Sequence, residues 1–295
     1  MRRLLGRAAL LALAAASMAG PAGASAATGG VASAPSVTAG SRYLALGDSV
    51  TFGYEEGGVV PAPQYKTASS FIAFPEILGR ELHLKVANAS CPGETTASLI
   101  NPSSPSNGCE NAPGAPHSGY RTGFPLHVHY RGSQLSYAVH YLRGHRDVRL
   151  VSLMIGANDG FVCIETTGDA CTSASEMAAL KHRITHNVRV ILHAIRHRAR
   201  YRGQLVIVNY YSPFKAYDPR SKQLNAIVDS AARPFGVRLA DGFGVFRSAD
   251  SHSGSNACMA GLLTQLGKPG DCGIHPSYAG QSLLAQAVER AIRIG

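Results

Sequence analysis

The chain lacks several patterns that would each announce a chemistry, and their absence narrows the reading. There is no C-x-x-C, which leaves zinc-ribbon and thioredoxin-like sites without support, and no G-x-S-x-G, the nucleophile turn of the α/β-hydrolases. No H-E-x-x-H marks a zinc protease. The stretch from Gly261 to Lys268 is one residue too long for a phosphate loop, and Pro269 stands where a Ser or Thr belongs. No internal repeat is present. Carboxylates are scarce as well: 18 Asp and Glu against 28 Lys and Arg give a formal net charge of +10 at pH 7. A basic surface favours anionic substrates or membranes. The basic residues are scattered, however, and no recognition motif accompanies them, so nucleic acid is not expected as a partner.

A membrane-spanning run is also missing. Met1-Arg2-Arg3-Leu4 leads into an Ala/Leu-rich stretch from Ala8 to Ala16 and then small residues ending Ala24-Ser25-Ala26. The apolar part is shorter than the roughly 20 residues a spanning helix needs. The plan is that of a secretory signal peptide, residues 1–26, cleaved after Ala26 on export. Loss of Arg2, Arg3 and Arg7 with it leaves a mature charge of +7. Residues 27–40 hold only small residues, Val, Thr and Pro, and read as a disordered leader to a single domain over 41–295.

Six cysteines fall as three close pairs, Cys91/Cys109, Cys163/Cys171 and Cys258/Cys272. An even count in an exported chain favours disulfides over metal or redox chemistry. Neighbour pairing is one of 15 possible connectivities. It is preferred because each pair brackets a Gly/Pro/Ser-rich stretch that a bridge would restrain.

From Ser41 onward, short β-branched or Leu-rich runs alternate with segments of helical period, the pattern of an α/β fold with a parallel sheet. Strands are expected at 43–46, 84–87, 148–155, 205–209 and 237–240, and helices at 70–82, 133–143, 175–200, 221–233 and 277–292. Residues 101–130, rich in Pro, Ser, Gly, Asn and His, read as a long surface excursion. Within 175–200, His182, His186, His193 and His197 share one helical face opposite Leu180, Ile184, Val188 and Ile191. No carboxylate sits between the histidines, so a solvated basic face is expected rather than a metal site.

The first chemical signal is the apolar strand Leu44-Ala45-Leu46 running into Gly47-Asp48-Ser49. It places a hydroxyl at the carboxyl end of a strand, where open α/β sheets bind ligands. Alone it is as easily a helix N-cap. Three further clusters follow: Gly93 after the second expected strand, Gly156-Ala157-Asn158-Asp159 after the third, and Gly273-Ile274-His275-Pro276 before the last helix. In this order the four clusters resemble the sequence blocks of SGNH (GDSL-type) hydrolases over nearly all of 41–295. Val50 takes the place of the commoner leucine.

The resemblance implies a three-layer α/β/α sandwich with a central, mostly parallel five-stranded sheet, and a secreted esterase or lipase that needs neither cofactor nor metal. Ser49 would be the nucleophile, His275 its general base, and Ser49 N–H, Gly93 N–H and the Asn158 amide the oxyanion donors. Acyl transfer needs these parts: a neutral hydroxyl requires a base, and the tetrahedral oxyanion requires donors already aimed at it.

One position departs from the family. Its usual aspartate, three residues before the histidine, is replaced by Cys272, with Asp271 one residue earlier. A main-chain carbonyl near Cys272, Asp271 itself, or another acid would then orient the imidazole, in that order of preference. The expected substrates are short-chain or lipid acyl esters, then phospholipids, then acetylated carbohydrate. The expected enzyme is a monomer that touches lipid surfaces transiently. From another class, a non-catalytic binding protein on the same scaffold is the competing reading.

Overall fold

Five Val-, Leu- and Ile-rich runs become one sheet. In the computed structural model, which describes residues 34–115, 118–268 and 270–295, the strands are β1 (Arg42–Gly47), β2 (Lys85–Asn88), β3 (Val148–Met154), β4 (Gln204–Val208) and β5 (Arg238–Ala240). All four pairings are parallel, in the order β2-β1-β3-β4-β5. A separate antiparallel ribbon joins β6 (Leu263–Gln265) to β7 (Cys272–Pro276).

The helices are α1 (Ser49–Phe52), α2 (Phe74–Glu81), α3 (Thr96–Ile100), α4 (Tyr120–Gly123), α5 (Gln134–Gly144), α6 (Ala157–Thr166), α7 (Ala174–His193), α8 (Asp218–Ala232), α9 (Gly242–Ala249) and α10 (Tyr278–Ala291). They lie on both faces of the sheet because the strands are apolar on both. Leu44, Leu46, Val151, Leu153, Leu205 and Ile207 pack with α3, α5, α7 and α8. The alternate residues Tyr43, Ala45, Leu150, Val206 and Val208 pack with α2, α9 and α10. This is the period-two alternation of a strand covered on both sides.

The expected sheet is present, and the five long helices are present with shifted ends. Pro75 starts α2 four residues later than the periodicity predicts, and Pro219 opens α8 earlier, since proline suits a helix's first turn. The long helix α7 ends at His193 and continues as a wider turn through Arg198. Its histidines at 182, 186, 193 and 197 are exposed. The excursion at 101–130 carries the short helix α4 and is clamped at its root by Cys91–Cys109. Cys163–Cys171 and Cys258–Cys272 complete the neighbour pairing.

The leader expected over 27–40 needs correction at its end. Val37 is buried, its N–H donates to Arg293 O at 2.8 Å, and it bridges Ile294 in parallel. Small side chains do not prevent such docking, because the backbone supplies the bonds. Residues 34–40 therefore belong to the compact unit Ala34–Gly295. The signal segment 1–26 lies outside the described residues.

Candidate active site

The strand order reverses between β1 and β3, since β1 is followed by β2 on one side and β3 on the other. Such a switch point opens a crevice beyond the carboxyl ends of the strands. Ser49 follows β1, Gly93 follows β2 and Asn158 follows β3, so all three reach this crevice.

Asp48 caps α1, its Oδ1 accepting from Val50 N–H at 3.1 Å. Ser49 is then the first helical residue, so its N–H has no carbonyl partner within the helix. Gln134 pins the turn from the side: Oε1 accepts from Gly47 N–H at 2.7 Å, and Nε2 donates to Gly47 O at 3.0 Å and to the buried Glu94 at 2.9 Å. Burial pushes the Glu94 carboxyl well above its ordinary range, and the neighbouring Glu110 pushes it the same way.

Asn158 opens α6. Its Oδ1 accepts from Asn107 Nδ2 at 2.9 Å, which turns the amide nitrogen toward Asp48, 3.3 Å from Oδ2. Tyr210, beyond β4, donates to the same Asp48 oxygen. Burial raises the Asp48 carboxyl from its ordinary 3.8 to about 6, although Tyr210, Val50 N–H and His275 all pull it down. Asp159 accepts from Thr96 N–H at 2.8 Å and Thr96 Oγ1 at 2.5 Å, and so fastens the loop of Gly93 to α6. Gly93 has φ of +80°, and a Cβ there would overlap the Asn107 carbonyl. Glycine is thus required by the close approach of the 107–108 backbone, and not only by access to substrate.

His275 sits on β7. Its Nε2 is 3.0 Å from Ser49 Oγ. Among the described residues its Nδ1 meets no main-chain carbonyl at hydrogen-bond geometry, so the carbonyl reading fails. Asp271 fails too: it is exposed, and among the described residues it is its main chain that is engaged, with Lys268 and Leu266. The group beside Nδ1 is Glu56, whose Oε2 lies 3.2 Å away at ion-pair distance without the alignment of a hydrogen bond. Burial alone would raise this carboxyl, but the contact with His275 and its charge hold it down at about 2.

Ser49, Asn158 and His275 line one cavity of about 820 Å³. Away from them its walls are largely apolar, with Phe161 and Ile164 from α6, Met177, Leu180 and Ile184 from α7 and Leu224 and Ile227 from α8, and they also include Glu165, Arg220, Ser221 and Gln223. Sequence reasoning missed Glu56, Tyr210, Gln134 and Asn107, none of which carries a local signal. It also missed α6, whose Gly160 weakens the helical pattern.

Comparison with known proteins bears on the family and the fold. The model of the GDSL-like lipase/acylhydrolase family matches residues 45–283. No curated protein matches. Among solved structures, a phospholipase A1 from Streptomyces albidoflavus is similar at 17% identity and TM-score 0.52, covering 86% of this chain and 100% of its own. An extracellular lipase from Streptomyces rimosus is similar at 18% and 0.52, covering 85% and 99%. An acetylxylan esterase from Geobacillus stearothermophilus is similar at 14% and 0.50, covering 87% and 96%. At these identities the likeness is one of fold.

Proposed function

The chain belongs to the GDSL-like lipase/acylhydrolase family, and from that premise we propose that it is a secreted hydrolase of carboxylic esters bearing an apolar acyl chain. The observation that carries this is the pairing of Ser49 Oγ with His275 Nε2 at 3.0 Å in a cavity whose walls include Phe161, Met177, Leu180 and Ile184. Pockets of this kind bury an apolar ligand and fix it by a few polar groups.

In the reaction, Ser49 Oγ attacks the ester carbonyl carbon while His275 Nε2 takes the hydroxyl proton. The carbonyl oxygen becomes an oxyanion, met by Ser49 N–H, Gly93 N–H and Asn158 Nδ2. The C–O bond to the alcohol breaks, and the imidazolium returns its proton to the leaving alkoxide. Water, deprotonated by the same nitrogen, then releases the acid and regenerates Ser49. Losing one oxyanion donor costs about 10² to 10³ in turnover.

Three disulfides support export to an oxidising compartment. No helix among the described residues is long and apolar enough to cross a membrane. The enzyme is read as a monomer that meets lipid surfaces only in passing. The test is hydrolysis of p-nitrophenyl esters of increasing chain length, with Ser49→Ala as control and an alkyl fluorophosphonate as active-site label. Stoichiometric labelling in the parent and none in Ser49→Ala is expected. Undiminished hydrolysis by Ser49→Ala would refute the mechanism.

A further inference from the structure

We propose that Glu56, carried on the loop that follows the nucleophile helix, is the positioning acid of His275, in place of the carboxylate that the 272 position does not provide. This rests on the esterase reading above and goes beyond it. Cys272 is committed to Cys258 by a disulfide and offers no carboxylate, and Asp271 stands exposed. Glu56 instead arrives from 219 residues earlier in the chain, the separation between it and His275.

Its placement is built, not incidental. Oε1 accepts from Ile274 N–H at 2.6 Å, which fixes the carboxylate against the strand that carries His275. Oε2 accepts from Thr264 Oγ1 at 2.8 Å and faces His275 Nδ1 at 3.2 Å. The loop itself is tied to β6 by Val60 N–H donating to Gln265 O at 3.1 Å. At Gly273 any Cβ would overlap Glu56 Oε1 and its carboxyl carbon, so glycine there leaves the room the carboxylate occupies. Three donors on β6 and β7, Thr264 Oγ1 and the N–H groups of Ile274 and His275, thus converge on one carboxylate, and the ring nitrogen they leave facing it is the one a triad acid orients.

The consequence follows from the ring's two nitrogens. A carboxylate at Nδ1 keeps the proton there, leaves Nε2 free to accept from Ser49, and stabilises the imidazolium formed during attack. The other charged or titratable groups around the ring are Asp48 and Glu55, which interact with it electrostatically, and Tyr54, whose ring stands edge-on at 5.2 Å. Tyr211 donates to Ile274 O on the flanking residue. None of these touches Nδ1.

The experiment is a pH profile of kcat and KM on a p-nitrophenyl ester for the full chain and its variants. Glu56→Gln is expected to lower kcat by about 10² to 10⁴ with little change in KM, on the scale of removing the acid of other triads. Because a negative charge beside the ring favours imidazolium, its removal moves the acid limb of the profile to lower pH. Glu56→Asp recovers part of kcat and of the limb. Gly273→Ala, which displaces the carboxylate while keeping it ionisable, reproduces Glu56→Gln and decides the matter should Glu56→Gln misfold. Asp271→Asn leaves the profile unchanged. Turnover within a few-fold of the parent and an unmoved acid limb, in Glu56→Gln or in Gly273→Ala, would overturn the assignment. With Ser49→Ala inactive, that result removes Glu56 alone; residual turnover by Ser49→Ala removes the esterase reading beneath it.

Discussion

Gly160 offers a perturbation in which fold and specificity pull apart. It lies within α6 and lines the cavity, and a Cβ added there meets nothing within 4 Å. Gly160→Leu therefore adds four carbons to the cavity wall beside Phe161 and Ile164, the first of them in open space. Glycine inside a helix costs about 0.8–1.0 kcal/mol relative to alanine, and leucine recovers most of that, so the variant should be slightly more stable than the parent. Its effect on substrate is the opposite. Burying one methylene contributes about 0.8 kcal/mol, so shutting roughly four methylenes of an acyl chain out of the cavity costs about 3 kcal/mol, or on the order of 10² in kcat/KM. A butanoate, with few methylenes beyond its carbonyl, should lose less, whereas a decanoate should lose the full factor. The assay is kcat/KM for the two p-nitrophenyl esters beside a urea denaturation curve. Equal losses on both esters would mean that the substitution damages the oxyanion site. No loss on either would mean that the acyl chain does not enter this cavity, and the argument from its walls would be refuted.

Removing the Asp159 carboxylate in Asp159→Ala strands the Thr96 N–H that it accepts from at 2.8 Å. The expected cost is about 2 to 3 kcal/mol with a fall in kcat, read by urea midpoint and turnover; an unchanged midpoint would show that Thr96 is satisfied otherwise. Burial raises both Asp48 and Asp159 from 3.8 to about 6, so each favours the folded state while protonated, and that stability is lost as pH rises from about 4 through 6. Glu56, held at about 2 against an ordinary 4.5, acts oppositely, its stability present above the ordinary value and lost as pH falls toward 2. Urea midpoints across this range should decline between pH about 4 and about 6, and less steeply in Asp159→Asn; an equal slope would exclude Asp159 as a source. Opening Cys91–Cys109 by a double Cys→Ala change frees an 18-residue separation, worth about 3 kcal/mol on loop-closure grounds. It also loosens the 107–108 backbone from Gly93, so turnover should fall with the midpoint; full turnover would show that Asn107 is held by other means.

The sheet was legible because its central strands β1, β3 and β4 lie between two layers of helices and so read as apolar runs. The Gly-Asp-Ser, Gly-x-Asn-Asp and His-Pro clusters were legible because each sits where a strand or ribbon ends, and order along the chain orders them around the crevice. What was not legible shares one physical cause. Glu56 lies in a Glu-Glu-Gly-Gly turn that looks like any solvated loop. Its role arises only when β6 and β7 fold over it, and the complementary mark, the missing Cβ of Gly273, reads in sequence as a turn glycine. Val37 escaped notice because its docking uses main-chain bonds, which composition does not report. Tyr210 and Gln134 are buried polar residues whose partners are a carboxylate and a glycine backbone, and neither has a periodicity to betray it.

The two halves of the site are constrained unequally, and that explains which half kept the family's residues. Asp48 simultaneously caps α1, holds the Asn158 amide and accepts from Tyr210, while Asn158 also binds Asn107, whose backbone packs on Gly93. Moving any one of these displaces the oxyanion donors together, and catalysis tolerates errors of well under an ångström there. The acceptor at Nδ1 has a looser specification: a negative oxygen near the outer ring nitrogen, reachable from any element that passes the ribbon. With Cys272 spent on holding the ribbon to Cys258, a carboxylate from the loop after α1 can meet that requirement without disturbing the donor network, because its anchors, Ile274 N–H and Thr264, belong to the ribbon and not to the sheet. The acid is the one member of the site that can change its place in the chain while the chemistry at Nε2 stays where β1 and β3 put it.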